Sequence, residues 1–197
     1  MSVVEPLSPL AGVLVAGRFG ATGEDAVGIS ERRYDLVQVF ARAERSGDVV
    51  AAMQTRFGVA LPGPGREGRA PMLAALWIQP DAWLLVAPRG PEDELARTAK
   101  QACGDAASVV DQTHGRCVIG LSGARAAWVL GKLCRIDLHP RAFGPGQVAV
   151  TPVGGLSCIV HQRDDAPSYD LVIFATFARS FVASLRHAAE ETGYRID

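Results

Sequence analysis

Past residue 28 the chain falls into short apolar runs punctuated by Gly and Pro, the pattern of strands, interrupted by stretches whose apolar residues recur at helical spacing. A run over 36–40 predicts a strand. SGDVVAAMQTRFG then sets Val50, Met53 and Phe57 on one helical face, and Gly58 stands where such a helix would stop. LPGPGREGRAP reads as a loop, and MLAALWIQ and AWLLVA as two strands joined through Pro80-Asp81, a turn signal. Pro91 suits the first position of a helix whose Leu95, Ala99 and Ala102 face one way, with Gly104 past its end.

The same order then returns. Strand RCVIGL leads into SGARAAWVLGKLC, where Ala127, Leu130 and Cys134 repeat the spacing of Val50, Met53 and Phe57 at one constant offset. After the loop HPRAFGPG come strands around 147–153, 156–162 and 169–175. Thr176 is placed as the N-cap of a last helix with Phe181, Leu185 and Ala188 on one face and Gly193 at its end. Short turns cannot join parallel strands, so both strand pairs are expected to be antiparallel. The pattern predicts an α+β fold of two related β-α-β-β-α-β-like halves, about 28–111 and 113–197, with helices on one face of the sheet. Residues 1–27, rich in Gly, Pro and Ala and without sustained period, read as an extended N-terminal arm ordered by a partner.

Composition sharpens this picture. Twenty basic and 21 acidic residues give a formal charge of −1, which removes the electrostatic case for nucleic acid. Counting glycine and leaving out tyrosine, apolar residues reach about 57% of the chain, against about 45–50% in an average soluble domain, while charged residues fall to 21%. That surplus points to a partner chain whose interface centre draws on residues such as Trp77, Leu84, Phe143 or Phe177. No apolar run reaches the ~20 residues of a membrane helix. The first residues lack a basic region and carry Glu5, Pro6 and Pro9, so no secretory signal is read and a cytoplasmic location is expected.

The search for chemistry is mostly negative. Cys103, Cys117, Cys134 and Cys158 form no CxxC pair and read as small apolar core residues. His139 and His187 lie among charged neighbours. His114 and His161 fall at predicted strand ends, where Asp111 and Asp164 are the carboxylates placed to orient a general base; turn or interface is the plainer reading. No His or Cys spacing suits a metal. No GxSxG elbow is present, and neither GRFGATGEDAVG nor GPGREGR stands between strand and helix as a phosphate loop must. Trp77, Trp83 and Trp128 read as packing rather than a stacking platform. Asp164-Asp165 reads as a solvated hairpin tip.

ALWIQPDAWLLVAP, the segment from VVDQTHGRC to CIVHQRD, and YDLVIFATFARSFVASLRHAAEETG together resemble the gamma subunit of heterotetrameric sarcosine oxidase. The most distinctive pieces span 77–84, 137–143 and 177–185. The resemblance implies one subunit of a bacterial enzyme that oxidises sarcosine to glycine with oxygen and passes the methyl carbon to tetrahydrofolate. It implies alpha, beta and delta partners, with FAD, FMN, NAD and tetrahydrofolate in the larger subunits and zinc in the smallest. It also implies a fold similar to the folate-binding aminomethyltransferases, with no catalytic residue and no cofactor on this chain. A stand-alone folate-binding or aminomethyl-transfer protein is the competing reading. It requires a buried carboxylate for the pterin's polar edge, and Asp111 and Asp81 are the acidic residues set against apolar strands.

Overall fold

The computed structural model describes residues 7–23 and 25–196. Its elements run β1 (Gly17–Phe19), β2 (Val27–Arg32), β3 (Tyr34–Ala41), α1 (Ser46–Phe57), β4 (Glu67–Ala70), β5 (Leu73–Gln79), β6 (Ala82–Pro88), α2 (Glu94–Cys103) and β7 (Ala107–Asp111). They continue as β8 (Arg116–Ser122), α3 (Ala126–Gly131), β9 (Val148–Val153), β10 (Leu156–Asp164), β11 (Ser168–Phe174), α4 (Ala178–Ala189) and β12 (Tyr194–Ile196). One sheet has the order β4-β5-β6-β3-β7 and the other β1-β12-β2-β8-β11-β10-β9. The β5–β6 and β10–β11 pairs are antiparallel, as are the β4–β5 and β9–β10 hairpins.

The two sheets pack face to face, and each carries its helices on its outer face. Strand alternation assigns the layers. In β3, Leu36 points to the inter-sheet core with Leu76, Leu84, Val118, Ile159 and Val172, while Val37 and Val39 point to an outer core with Val49 and Met53 of α1 and Ala99 and Cys103 of α2. On the other sheet Ile119, Leu121, Leu171 and Ile173 meet Val129 and Leu130 of α3 and Phe181, Val182 and Leu185 of α4. Strands covered on both faces read as nearly continuous apolar runs, which is why AWLLVA shows no alternation.

The element order β8-α3-β9-β10-β11-α4-β12 follows that of β3-α1-β4-β5-β6-α2-β7, and β9-β10-β11-β8 occupy the order of β4-β5-β6-β3. β2 lies in the seven-stranded sheet, between β8 and β12, and the chain crosses to the other sheet at Arg33, with no Gly or Pro to mark the passage. Within the expected arm, residues 1–6 and 24 lie outside the described residues. The rest is held by the chain's own body: Leu10 is buried in the outer core, Ser8 donates to Glu31 at 2.7 Å, and β1 pairs with β12.

Helix termini also differ from expectation. α2 begins at Glu94 after Asp93 in the left-handed region, so Pro91 is not its first residue, and α4 follows a short 3-10 turn, so Thr176 does not cap it. Val49 rather than Val50 faces the core, and α3 is shorter than its counterpart. Of the proposed interface residues, Leu84 and Phe143 are buried in the chain's own cores, Trp77 is half-buried, and Phe177 is exposed.

α1 ends as its glycine suggested. Gly58 takes φ 65° and its N–H donates to Gln54 O at 3.0 Å, a left-handed cap that a Cβ penalises. Nothing crowds the position, so Gly58→Ala should cost only that backbone strain, about 1 kcal/mol, in urea denaturation. A neutral result would show that the cap contributes nothing.

Candidate functional site

Alternation along β10 and β11 turns His161, Arg163 and Asp170 toward the gap between the sheets. One register row runs Ser30, Gly120, Asp170, His161 and Val148 across five strands, so polar groups from distant sequence share one level of the inner face. Glu67 and Arg69 of β4 face them from the other sheet. His161 Nε2 lies 2.7 Å from Glu67 Oε2, and Arg69 holds the other oxygen at 2.8 Å. Arg32 Nε approaches Asp170 Oδ1 at 3.0 Å, passing over Gly120, where a Cβ would meet it at 2.4 Å.

This cluster combines deep burial with incomplete satisfaction. Asp170 and His161 are each 5% exposed. Arg163 Nε stands 3.7 Å from Asp170 Oδ2, too far for a hydrogen bond. Arg32 Nε, His161 Nε2 and Asp170 Oδ1 sit at ion-pair distance from their partners without hydrogen-bond alignment. Burial pushes the Asp170 carboxyl up to about 6, against the opposing charges of Arg32 and His161. Burial also acts to raise Glu67, but the contact and charge of His161, with those of Arg69, outweigh it and hold Glu67 below its usual value. The Tyr34 phenol is raised by burial and then by Asp170.

A cleft of about 180 Å³ opens beside these groups, walled by Met72, Leu76, Val86, Val118 and Val172 and edged by Tyr34, Arg69 and Arg163. The Glu67 carboxylate stands 2.7 Å from His161 Nε2, so this pair links the two sheets across their interface.

The other sequence candidates lie elsewhere. His114 is exposed in the β7–β8 turn, 3.4 Å from Arg89 Nη2, and Asp111 accepts the Thr113 N–H at 2.7 Å. Burial acts to raise the Asp111 carboxyl, but the hydrogen bonds from Thr113 lead those that hold it low. Asp164 is exposed and does not reach His161, whose carboxylate is Glu67 from the opposite sheet. Asp81 sits in the β5–β6 turn at φ 56° and accepts from Ser46. His139 and His187 are exposed. Trp83 is buried, its indole N–H donating to Pro62 O at 2.9 Å, whereas Trp128 is 43% exposed beneath the Lys132 ammonium. The four cysteines are buried and free. Burial first and Glu31 second push the Cys117 thiol to about 12, and Cys158 also moves upward, so neither is a ready thiolate.

Asp170 is the buried carboxylate that sequence reasoning missed. It stands between Tyr169 and Leu171 in YDLVIF, where a charged residue inside an apolar strand was the available signal.

The profile of the sarcosine oxidase, gamma subunit family matches residues 45–191. The sarcosine oxidase subunit gamma of Corynebacterium sp. strain U-96 is 32% identical over 189 residues, covering 94% of this chain and 89% of the relative. This chain belongs to that family. The Arthrobacter sp. subunit gamma is 35% identical over 137 residues, 68% of this chain and 66% of the relative. Among solved structures, a chain of the heterotetrameric sarcosine oxidase from Corynebacterium sp. U-96 superposes with a TM-score of 0.83 at 30% identity, covering 94% of this chain and 95% of that one. The aminomethyltransferase T of the Bartonella henselae glycine cleavage system shares the fold at 14% identity and a TM-score of 0.61, over 82% of this chain and 45% of its own.

Proposed function

We propose that the chain is the gamma subunit of a cytoplasmic heterotetrameric sarcosine oxidase, assembled with alpha, beta and delta subunits that hold FAD, FMN, NAD and tetrahydrofolate. In this reading it contributes architecture rather than a reacting group. The observation that carries the proposal is coverage: a chain of a heterotetrameric sarcosine oxidase superposes over 94% of this chain and 95% of its own length. The engaged state of His161 supports the non-catalytic role. The common strand order of the two sheets supports a duplicated origin, with β2 as an insertion into the C-terminal half.

Phe177 and Phe174, 46% and 41% exposed, lie together at the β11–α4 junction, with the Arg116 guanidinium 4.1 Å over the Phe174 ring. Phe174 joins Phe177 as a candidate for the centre of a docking surface, in place of the buried Leu84 and Phe143. Co-expression of the tagged large subunits with this chain should recover it in stoichiometric amount by affinity capture and sedimentation. The Phe174→Asp, Phe177→Asp double variant should reduce recovery at least tenfold without altering its circular dichroism. A soluble monomer that ignores those subunits would favour a stand-alone folate-binding protein.

A further inference from the structure

The inter-sheet cleft has the composition of a small-molecule site rather than of a packing defect. Its walls are apolar and its floor holds two ionisable side chains, Asp170 and His161, that are almost entirely removed from water. Arg163, one-third exposed, lies beyond hydrogen-bond distance of Asp170 and keeps its guanidinium donors for another acceptor. Arg69 spends one terminal nitrogen on Glu67 and is more than half exposed at the same rim. With their ion-pair partners counted, Arg32, Arg69 and Arg163 against Glu67 and Asp170 leave an excess of one cation around the cleft before His161 is counted. The volume of about 180 Å³ exceeds the roughly 150 Å³ of an apolar cavity that takes up benzene.

We propose that this cleft binds a small monocarboxylate with an apolar body, the carboxylate gripped by Arg163 and Arg69 at the rim and the body laid against Leu76, Val86 and Val172. Planar guanidinium groups match a carboxylate in bidentate fashion, which a neutral isostere cannot exploit. Met72, 68% exposed at the β4–β5 turn, lines the cleft with an adaptable side chain. The proposal rests on this chain's own residues and does not depend on the subunit assignment.

The test is calorimetric titration of benzoate into the co-purified assembly and into the full chain by itself. One equivalent per copy of this chain should bind in both, and benzamide should bind at least tenfold more weakly. In the Arg69→Gln, Arg163→Gln double variant that equivalent should disappear, while any benzoate site on other subunits persists. Should that variant fail to assemble, Val86→Phe serves instead, since it narrows the apolar end and leaves both arginines in place; it should weaken benzoate at least tenfold. Superimposable titrations of wild type and variants, or equal binding of benzamide, would overturn the proposal. Binding to the chain alone but not to the assembly would also overturn it, assigning the cleft to a carboxylate of a neighbouring subunit.

Discussion

Gly120→Ala should lower the stability of the chain by about 3 kcal/mol, although it adds a single methyl group. The new Cβ would lie 2.4 Å from Arg32 Nε and 2.9 Å from Ser30 Oγ. Both obstacles belong to side chains, so the sheet need not deform; Arg32 swings outward instead. That motion separates its guanidinium from Asp170, 3.0 Å away in the native arrangement. Removing one partner of a buried ion pair costs about 3–5 kcal/mol, and the low end applies because Arg32 is one-quarter exposed and Arg163 remains near the other carboxylate oxygen. A double-mutant cycle in urea checks the cause. In an Asp170→Asn background the alanine should cost less than about 1 kcal/mol, since the pair is already gone. Equal costs in the two backgrounds would mean that the methyl group clashes for another reason.

The second large effect is a loss of stability as pH rises. Burial lifts the Asp170 carboxyl from 3.8 to about 6 in the folded chain. Below 3.8 the group is protonated in both states and costs nothing. Between 3.8 and about 6 the unfolded chain releases its proton first, so unfolding is progressively favoured. Above about 6 both states are ionised and the loss is complete, about 3 kcal/mol for a shift of this size. Glu67 works with the opposite sign: its folded value is lowered, so its contribution is present above 4.5 and lost as the pH falls through the folded value. The window from pH 4.5 to 6.5 therefore isolates Asp170. Urea midpoints across it should decline in the wild type relative to Asp170→Asn by most of that amount. Parallel curves would show that Asp170 has no raised carboxyl.

These two residues also mark the limit of what local pattern discloses. The β5–β6 hairpin was legible because Pro80-Asp81 separates two apolar runs too closely spaced for any connection but a tight turn, and Asp81 takes the positive φ such a turn needs. α1 was legible through Met53 and its glycine stop. α4 was legible through the face of Phe181, Leu185 and Ala188, but not in its start, because a 3-10 turn supplies the entry that a capping side chain would have announced. The assignment of β2 was not legible. A strand passing from one sheet to the other through Arg33 needs no breaker, and which neighbour it pairs with depends on hydrogen bonds to β8 and β12, remote in sequence.

The site divides the same way. His161 was visible as a histidine beside a strand, and its partner was sought in Asp164, three positions along the same segment. Asp164 lies beyond a bulge at the exposed end of β10, and the carboxylate that meets His161 comes from Glu67 on the other sheet. By itself the sequence determined the longer strands, the β5–β6 hairpin and the four helices, through periodicity and turn chemistry within short windows, and the family through its motifs; β4, which carries Glu67 and Arg69, lies in a stretch that its Gly and Pro made read as loop. Only the tertiary structure decided which strands share a sheet, which apolar residues turn inward, and how Arg32, Glu67, His161 and Asp170 come together. Those outcomes follow from packing two sheets face to face, and the energy that selects them is burial summed over contacts between residues far apart in the chain.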